Sequence, residues 1–418
     1  MTYTISAPDK PIRGTIKLPS SKSESNRLLI IQSFCKDKFE ITNLSEAQDS
    51  KSLKEVLEKE KQYTMGEVTY DIGAAGTTMR FLTALFANKP GTRILTGSER
   101  MKKRPIKILV DALRQIGAEI EYLGDDGCPP LKIKGKELMG GQIEIDGSVS
   151  SQYISALLMI APTLPKGLIL NFKGEVASRP YINMTLKIME HYGVGGIWHD
   201  ESISVSPQNY FIQDEPKHTV EADWSAASYW YAIVAMSKGA EIVLEGLKKE
   251  SMQGDNVLFD LYNFFGVKTE FLPNGIKLSK FEYKPERFGF DFNDCPDISQ
   301  TVAVTAAALG IPCHCKGLHT LKIKETDRAL ALKKELGKIE VDLEIISDDA
   351  AHIHPEKINK EAMPVFATYD DHRMAMGFAT LACIYPSVKI EHPEVVKKSY
   401  PGFWNDLKSV GFKVEELK

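Results

Sequence analysis

Cysteine is scarce in this chain and unpatterned. Cys35, Cys128, Cys295, Cys313, Cys315 and Cys383 are scattered over 418 residues, without the paired spacing of a zinc site or the density of a disulfide scaffold, so reduced thiols are expected. Cys313-His314-Cys315 sets three metal-capable side chains in a row, but it follows an apolar run and Pro312, where a short half-buried strand accounts for the same alternation. Long apolar runs are also missing: Ile154 to Leu170 is broken by Pro162, Pro165 and Lys166, short of the ~20 residues a spanning helix needs. The first ten residues, MTYTISAPDK, have neither a basic stretch nor an apolar one, so a cytoplasmic location without membrane association is expected. Nor is there a charge excess. Lys and Arg total 52 against 56 Asp and Glu, a net charge of -4, which gives no global field for nucleic acid and leaves any anion to local cationic clusters. No GxxxxGK[ST] and no GxGxxG after a strand occurs, so use of ATP or NAD is not indicated.

What is present is a folded protein of ordinary composition, 43% hydrophobic and 26% charged, long enough for two or three domains. Short β-rich runs alternate with helical ones, as in Gly14 to Leu18 before Asn26 to Phe34 and Leu168 to Phe172 before Ile182 to His191, which predicts a mixed α/β protein. Small polar residues repeatedly close a strand and open a helix, at Ser21-Lys22-Ser23, Gly76-Thr77-Thr78, Ser150-Ser151-Gln152, Trp224-Ser225-Ala226, Asp297-Ile298-Ser299 and Asp371-His372-Arg373. The first interval is 54 residues and the later ones 72 to 75, which reads as one structural unit copied about six times. Each junction would aim free backbone amides and a positive helix end at one place, as phosphate and carboxylate sites do.

The charged and hydroxyl residues cluster at these junctions. LPSSKSESNR (18–27) offers a donor-rich cradle. GAAGTTMR (73–80), RMKKRP (100–105), KIKETDR (322–328) and DDHRMAM (370–376) follow it, with SSQ (150–152), SRPY (178–181), DWSAASY (223–229) and PD (296–297) between them. Taken singly, each is an ordinary capped helix or surface ion-pair patch. Taken in order over nearly the whole chain, they resemble the motifs of the enolpyruvyl transferases that act on shikimate 3-phosphate.

That resemblance implies addition of the 5-hydroxyl of shikimate 3-phosphate to C2 of phosphoenolpyruvate, then loss of phosphate to leave an enol ether, with no cofactor or metal. These two small molecules would be the partners, with no nucleic acid and no membrane, and the protein would be a monomer. The substrates together carry roughly six negative charges, to be met by Lys22, Arg27, Arg104, Arg328, Arg373 and Lys398. By similarity, phosphoenolpyruvate would be held by Lys22, Gly76, Arg104, Gln152, Arg328, Arg373 and Lys398, the glycine leaving room for the small anion. Shikimate 3-phosphate would be held by Lys22, Ser23, Arg27, Ser150, Ser151, Gln152, Ser178, Tyr181, Asp297 and Lys324. The catalytic set would be Asp297 for the hydroxyl proton, Glu325 for C3 of the enol and Lys22 for charge on the leaving phosphate. On residue type alone, Asp297 reads as an N-cap and Glu325 as a first-turn helix acid. His372, between Asp371 and Arg373, is expected to orient its neighbours rather than move a proton.

The resemblance also implies two similar globular domains, each of three βαβαββ repeats with helices inside, an inside-out α/β barrel, with the active site in the cleft between them. Residues 1–20 with 222–418 would form one domain and 21–221 the other. Ser20, Ala74, Phe81 and Thr320 depart from the family pattern. They bear on the shape of the phosphoenolpyruvate pocket and on sensitivity to the inhibitor glyphosate, and leave the charged set intact. A sister transferase acting on UDP-N-acetylglucosamine should carry Lys-Asn where this chain has Lys22-Ser23. A non-catalytic anion-binding relative could dispense with Asp297 and Glu325, which are both present.

Overall fold

The computed structural model describes residues 1–63, 66–148, 150–213, 215–355, 360–361 and 363–417. The chain divides into two compact units: a discontinuous one, Met1–Ser20 with Glu221–Lys418, and an inserted one, Ser21–Val220. Glu221, expected in the inserted unit, falls in the discontinuous one. Its buried carboxylate accepts hydrogen bonds from Trp224 Nε1 at 2.9 Å, Lys248 N at 2.9 Å and Ser251 Oγ at 2.6 Å.

In the discontinuous unit three helices are buried almost all round: Trp224–Met236, Ser299–Leu309 and His372–Ala379. Their sequences carry apolar or small residues on every face, which suits a core helix rather than a surface one. Three four-stranded sheets cover them, and each has the same order, with two parallel strands followed by an antiparallel pair. In one sheet Ile12–Lys17 runs parallel to Ala240–Glu245, which pairs antiparallel with Gly275–Lys280 and through it with Val267–Leu272. The N-terminal segment completes two of the three sheets, because Thr2–Ser6 lies between Val388–Glu391 and Lys413–Glu416. This unit therefore contains three βαβαββ motifs, two of them closed by strands from the other end of the chain.

The inserted unit follows the same plan with one reduction. Its core helices are Lys22–Phe34, Gly76–Ala87 and Ser151–Ile160, and two four-stranded sheets repeat the order above. The third sheet has only two strands, Glu40–Thr42 and Lys217–Thr219, in parallel. The helix Gln48–Glu60 leads to the strand Glu67–Asp71, with no antiparallel pair between them among the described residues. Among the described residues the strand pair that spans Glu119–Gly135 in the next repeat has no counterpart in the first, which accounts for the short first interval of 54 residues.

All six sequence junctions begin helices. Ser21, Ser150, Asp223 and Asp371 cap them by accepting from Glu24 N, Gln152 N, Ser225 N and Arg373 N, each satisfying one of the amides a helix start leaves open. Gly76 opens its helix directly, and Asp297 lies in a 3-10 turn, Pro296–Ile298, that runs into Ser299–Leu309. Among the described residues no helix is long and apolar enough to cross a membrane, and all six cysteines are free.

Candidate functional site

The predicted residues gather into two sets, one in each unit. In the inserted unit the central feature is Arg104. The turn Met101–Lys103 delivers it, with Arg104 N bonded to Met101 O at 3.0 Å, and the following carbonyl, Pro105 O, is fixed by Arg80 Nη2 at 2.9 Å and Tyr153 Oη at 2.6 Å. The guanidinium lies against the start of the helix Gly76–Ala87, so that a Cβ on Gly76 would meet Arg104 Nη1 at 2.5 Å. The glycine thus makes room for the arginine itself, where the sequence suggested room for the anion. Arg104 is 7% exposed and its buried Nε has no hydrogen-bond partner among the described residues. No acidic residue occupies the first turn of that helix. Among the described residues no ion pair balances this buried cation beside a positive helix end, an arrangement suited to an anion.

Lys22, first residue of its helix, is 3.8 Å from Asp49 Oδ2, a loose pair with Asp49 2% exposed. Arg27, one turn further on, is 2% exposed and bonded only to neutral oxygens: Thr185 Oγ1 at 2.7 Å, Ser23 O at 2.8 Å, Ser155 Oγ at 2.9 Å and Tyr181 O at 3.1 Å. Burial draws its pKa down to about 10. Gln152 Nε2 donates to Thr77 Oγ1 at 3.3 Å. Ser23, Ser150 and Tyr181 are half-buried and Ser151 is buried. Ser178 precedes the helix Arg179–His191 at φ 55, a left-handed conformation costly for a residue with a Cβ and found where surroundings enforce it.

The set in the discontinuous unit is dense in both signs of charge. Asp297 receives Arg373 Nη2 at 2.8 Å, Arg328 Nη1 at 3.2 Å and Lys324 Nζ at 3.4 Å. Glu325 receives Lys398 Nζ at 2.8 Å and Arg328 Nη2 at 3.0 Å. Arg328 is 1% exposed and also donates through Nε to Asp371 Oδ2 at 2.8 Å. Burial works against its charge, but Asp371, Glu325 and Asp297 outweigh it and hold the guanidinium more firmly than usual. Burial lowers the pKa of Lys324, with Asp297 opposing the shift. Asp371 is presented by Tyr369 and Asp370, both left-handed at φ 54 and φ 55, and its ring neighbour His372 is 1% exposed with Nδ1 3.7 Å from Asp371 Oδ1.

Neither bland role survives for the two carboxylates. The cap of Ser299–Leu309 is Ile298, not Asp297, and the helix Arg328–Gly337 is capped by Asp327, leaving Glu325 outside its first turn. Both are held by side-chain cations instead.

Asp255 and Asp49 had no signal in the sequence, since neither stands in a motif. Asp255 is 2% exposed and its Oδ2 accepts from Ser225 Oγ, which lies 3.5 Å from Arg373 Nη2. Burial first, and then the nearby Asp297, push its pKa up to about 7. Arg80, Asp371 and Ser225 stood inside quoted motifs and carry structural duties that the motifs did not specify.

The site residues thus comprise cations at or beside helix starts in one unit and a pair of cation-held carboxylates in the other. A family model described as EPSP synthase (3-phosphoshikimate 1-carboxyvinyltransferase) matches residues 6–407. Proteins named 3-phosphoshikimate 1-carboxyvinyltransferase are similar throughout: that of Bacteroides fragilis (strain YCH46) is 49% identical over 416 residues, covering 99% of each chain. That of Sulfurovum sp. (strain NBC37-1) is 37% identical over 430 residues, covering 96% of this chain and 98% of the relative. The solved structure of EPSP synthase from Acinetobacter baumannii shares the fold at TM-score 0.77 and 19% identity, covering 99% of this chain and all of that one. The chain belongs to the EPSP synthase family.

Proposed function

We propose that this chain carries out its family's reaction, transfer of the enolpyruvyl group of phosphoenolpyruvate to the 5-hydroxyl of shikimate 3-phosphate, in the shikimate pathway to chorismate and the aromatic amino acids. The observation that carries the proposal is Arg104, buried at the start of Gly76–Ala87 and without a counter-charge among the described residues. Phosphoenolpyruvate supplies the missing anion. Arg104, Lys22, Gly76 and Gln152 from the inserted unit, and Arg328, Arg373 and Lys398 from the discontinuous one, serve that substrate. Lys22, Ser23, Arg27, Ser150, Ser151, Gln152, Ser178, Tyr181, Asp297 and Lys324 serve shikimate 3-phosphate. For Arg27 the bonds to four neutral oxygens favour a positioning part, holding Ser23 and Tyr181 by their carbonyls while its charge acts at short range.

In the addition step Asp297 takes the proton of the 5-hydroxyl, the oxygen bonds to C2 of phosphoenolpyruvate, and Glu325 gives a proton to C3. In the elimination step the C2–O bond to phosphate breaks, Glu325 recovers a proton from C3, and the proton held by Asp297 leaves with the phosphate, whose charge Lys22 meets. General acid–base catalysis of this kind contributes roughly 10²–10⁴-fold per group. Six free cysteines fit a reducing cytoplasm.

The test is to incubate the protein with phosphoenolpyruvate and either shikimate 3-phosphate or UDP-N-acetylglucosamine, without added metal, and to follow phosphate and the enolpyruvyl product. Turnover is expected with shikimate 3-phosphate alone. Turnover only with the sugar nucleotide overturns the acceptor, and binding of shikimate 3-phosphate without turnover overturns the chemistry.

A further inference from the structure

The strand Cys313–Lys316 faces two ways. Cys313 and Cys315 are each 3% exposed, and their sulfurs lie 3.5 Å apart inside the core. His314 faces the other side, so the triplet cannot act as one ligand set. On that other side His314 sits opposite His352 of the antiparallel strand Ala351–His354, and His352 sits opposite Glu344 of the next strand, Asp342–Ile345. Because strand side chains alternate with period two, His354 shares the face of His352, and its partner across the pair is Asp342.

We propose that His352, His354 and Glu344 form a site for a divalent transition metal of the zinc, nickel or copper class, on the outer face of this sheet and outside the residues assigned to catalysis. One ligand atom from each lies within 4.8 Å of the others, and His354 Nε2 is already 3.3 Å from Glu344 Oε2. Metal–nitrogen and metal–oxygen bonds of about 2.0–2.2 Å place tetrahedral ligands roughly 3.3–3.6 Å apart, and two imidazoles with one carboxylate suit these ions. The closing movement is small. Glu344 and His354 keep 59% and 46% of their side-chain surface exposed, so they turn without disturbing the core, while the less exposed His352 is the fixed point.

His314 adds a second, independent observation. Its ring meets that of His352 edge-on with centroids 4.3 Å apart, and its buried Nδ1 has no hydrogen-bond partner among the described residues. An imidazole nitrogen left without a partner beside a ligating ring is placed to join the ligand set or to orient that ring. Asp342 adds negative charge on this face, and Lys316 is the one named group that opposes a cation.

The test uses full-length protein carrying no histidine tag and stripped with chelator. Zinc and nickel chloride are titrated separately by calorimetry, with circular dichroism spectra taken on each variant. Wild type is expected to bind one equivalent, His354→Ala and Glu344→Gln to bind roughly 10- to 100-fold more weakly, and His352→Ala/His354→Ala not to bind saturably while keeping the wild-type spectrum. Equal affinity in wild type and the double variant, or no saturable binding to wild type, overturns the proposal. Should the double variant lose the wild-type spectrum, Glu344→Gln, on the exposed rim, decides alone: unchanged affinity overturns the site and weakened affinity supports it.

Discussion

Arg104 and Arg328 are both buried arginines placed by helix starts, and they are treated in opposite ways. Arg328 is bonded to Asp297, Glu325 and Asp371, whereas Arg104 makes no ion pair among the described residues and its Nε has no partner there. The inserted unit is able to balance a buried arginine, since Arg93, 0% exposed, is bonded to Glu60 at 3.0 Å with Lys89 on the same carboxylate at 2.8 Å. The lack at Arg104 is therefore local. Arg104 stands without an ion pair among the described residues, whereas Asp297 and Glu325 already have their cations in place. On the proposed function, the first arrangement serves binding and the second positions the two carboxylates for proton transfer.

The largest effect should come from breaking the balanced side. Arg328→Ala leaves three carboxylates short of a cation and should lower stability by about 3–5 kcal/mol in urea unfolding, the usual result of removing one partner of a buried pair. A loss below ~1 kcal/mol would mean that the cluster is not held by that guanidinium. Next is Asp255, whose pKa near 7 lies above its ordinary 3.8. Below about pH 4 it is protonated in both states and its contribution is complete. As pH rises from there to 7 the unfolded chain releases the proton while the folded protein keeps it, so stability falls through that window. Asp255→Asn should flatten the fall by roughly 2–4 kcal/mol between pH 4 and 8, measured by denaturant midpoints, and an unchanged slope would contradict the assignment.

The unbalanced side should respond in ligand binding rather than in stability. Arg104→Ala removes a charge-assisted contact of roughly 1.5–3 kcal/mol and should weaken phosphoenolpyruvate binding by about one to two orders of magnitude. Its melting temperature should hold or rise, because a buried unpaired charge is gone; a clear drop would show that Arg104 is balanced after all. The smallest change is Gly76→Ala, whose Cβ displaces the Arg104 guanidinium. It should raise KM for phosphoenolpyruvate about tenfold, roughly 1.4 kcal/mol, with kcat little altered, and an unchanged KM would separate the glycine from the arginine.

Much of this was legible in the sequence, for a local reason. Helix starts need capping residues and turns need small ones, so Ser21, Ser150, Asp223 and Asp371 announce themselves within a few residues of the bonds they make. Even the reduced first repeat left a trace in the shorter 54-residue interval. What the sequence could not disclose are bonds made across long stretches of chain. Thr185 and Ser155 reach Arg27 from 158 and 128 residues away, and Asp255 meets Ser225 from a segment with no motif. Residue type also misled: Asp297 and Glu325 looked like helix furniture, and only the cations folded around them show otherwise.

The proposed part of Glu325 in proton transfer is tested most directly by running the reaction of Glu325→Gln in deuterium oxide and reading deuterium at C3 of the enolpyruvyl product and of recovered phosphoenolpyruvate. Wild type is expected to incorporate it, because C3 is protonated and deprotonated within the cycle. Glu325→Gln is expected to bind phosphoenolpyruvate yet show neither turnover nor deuterium at C3. Incorporation at the wild-type rate in that variant would contradict the account.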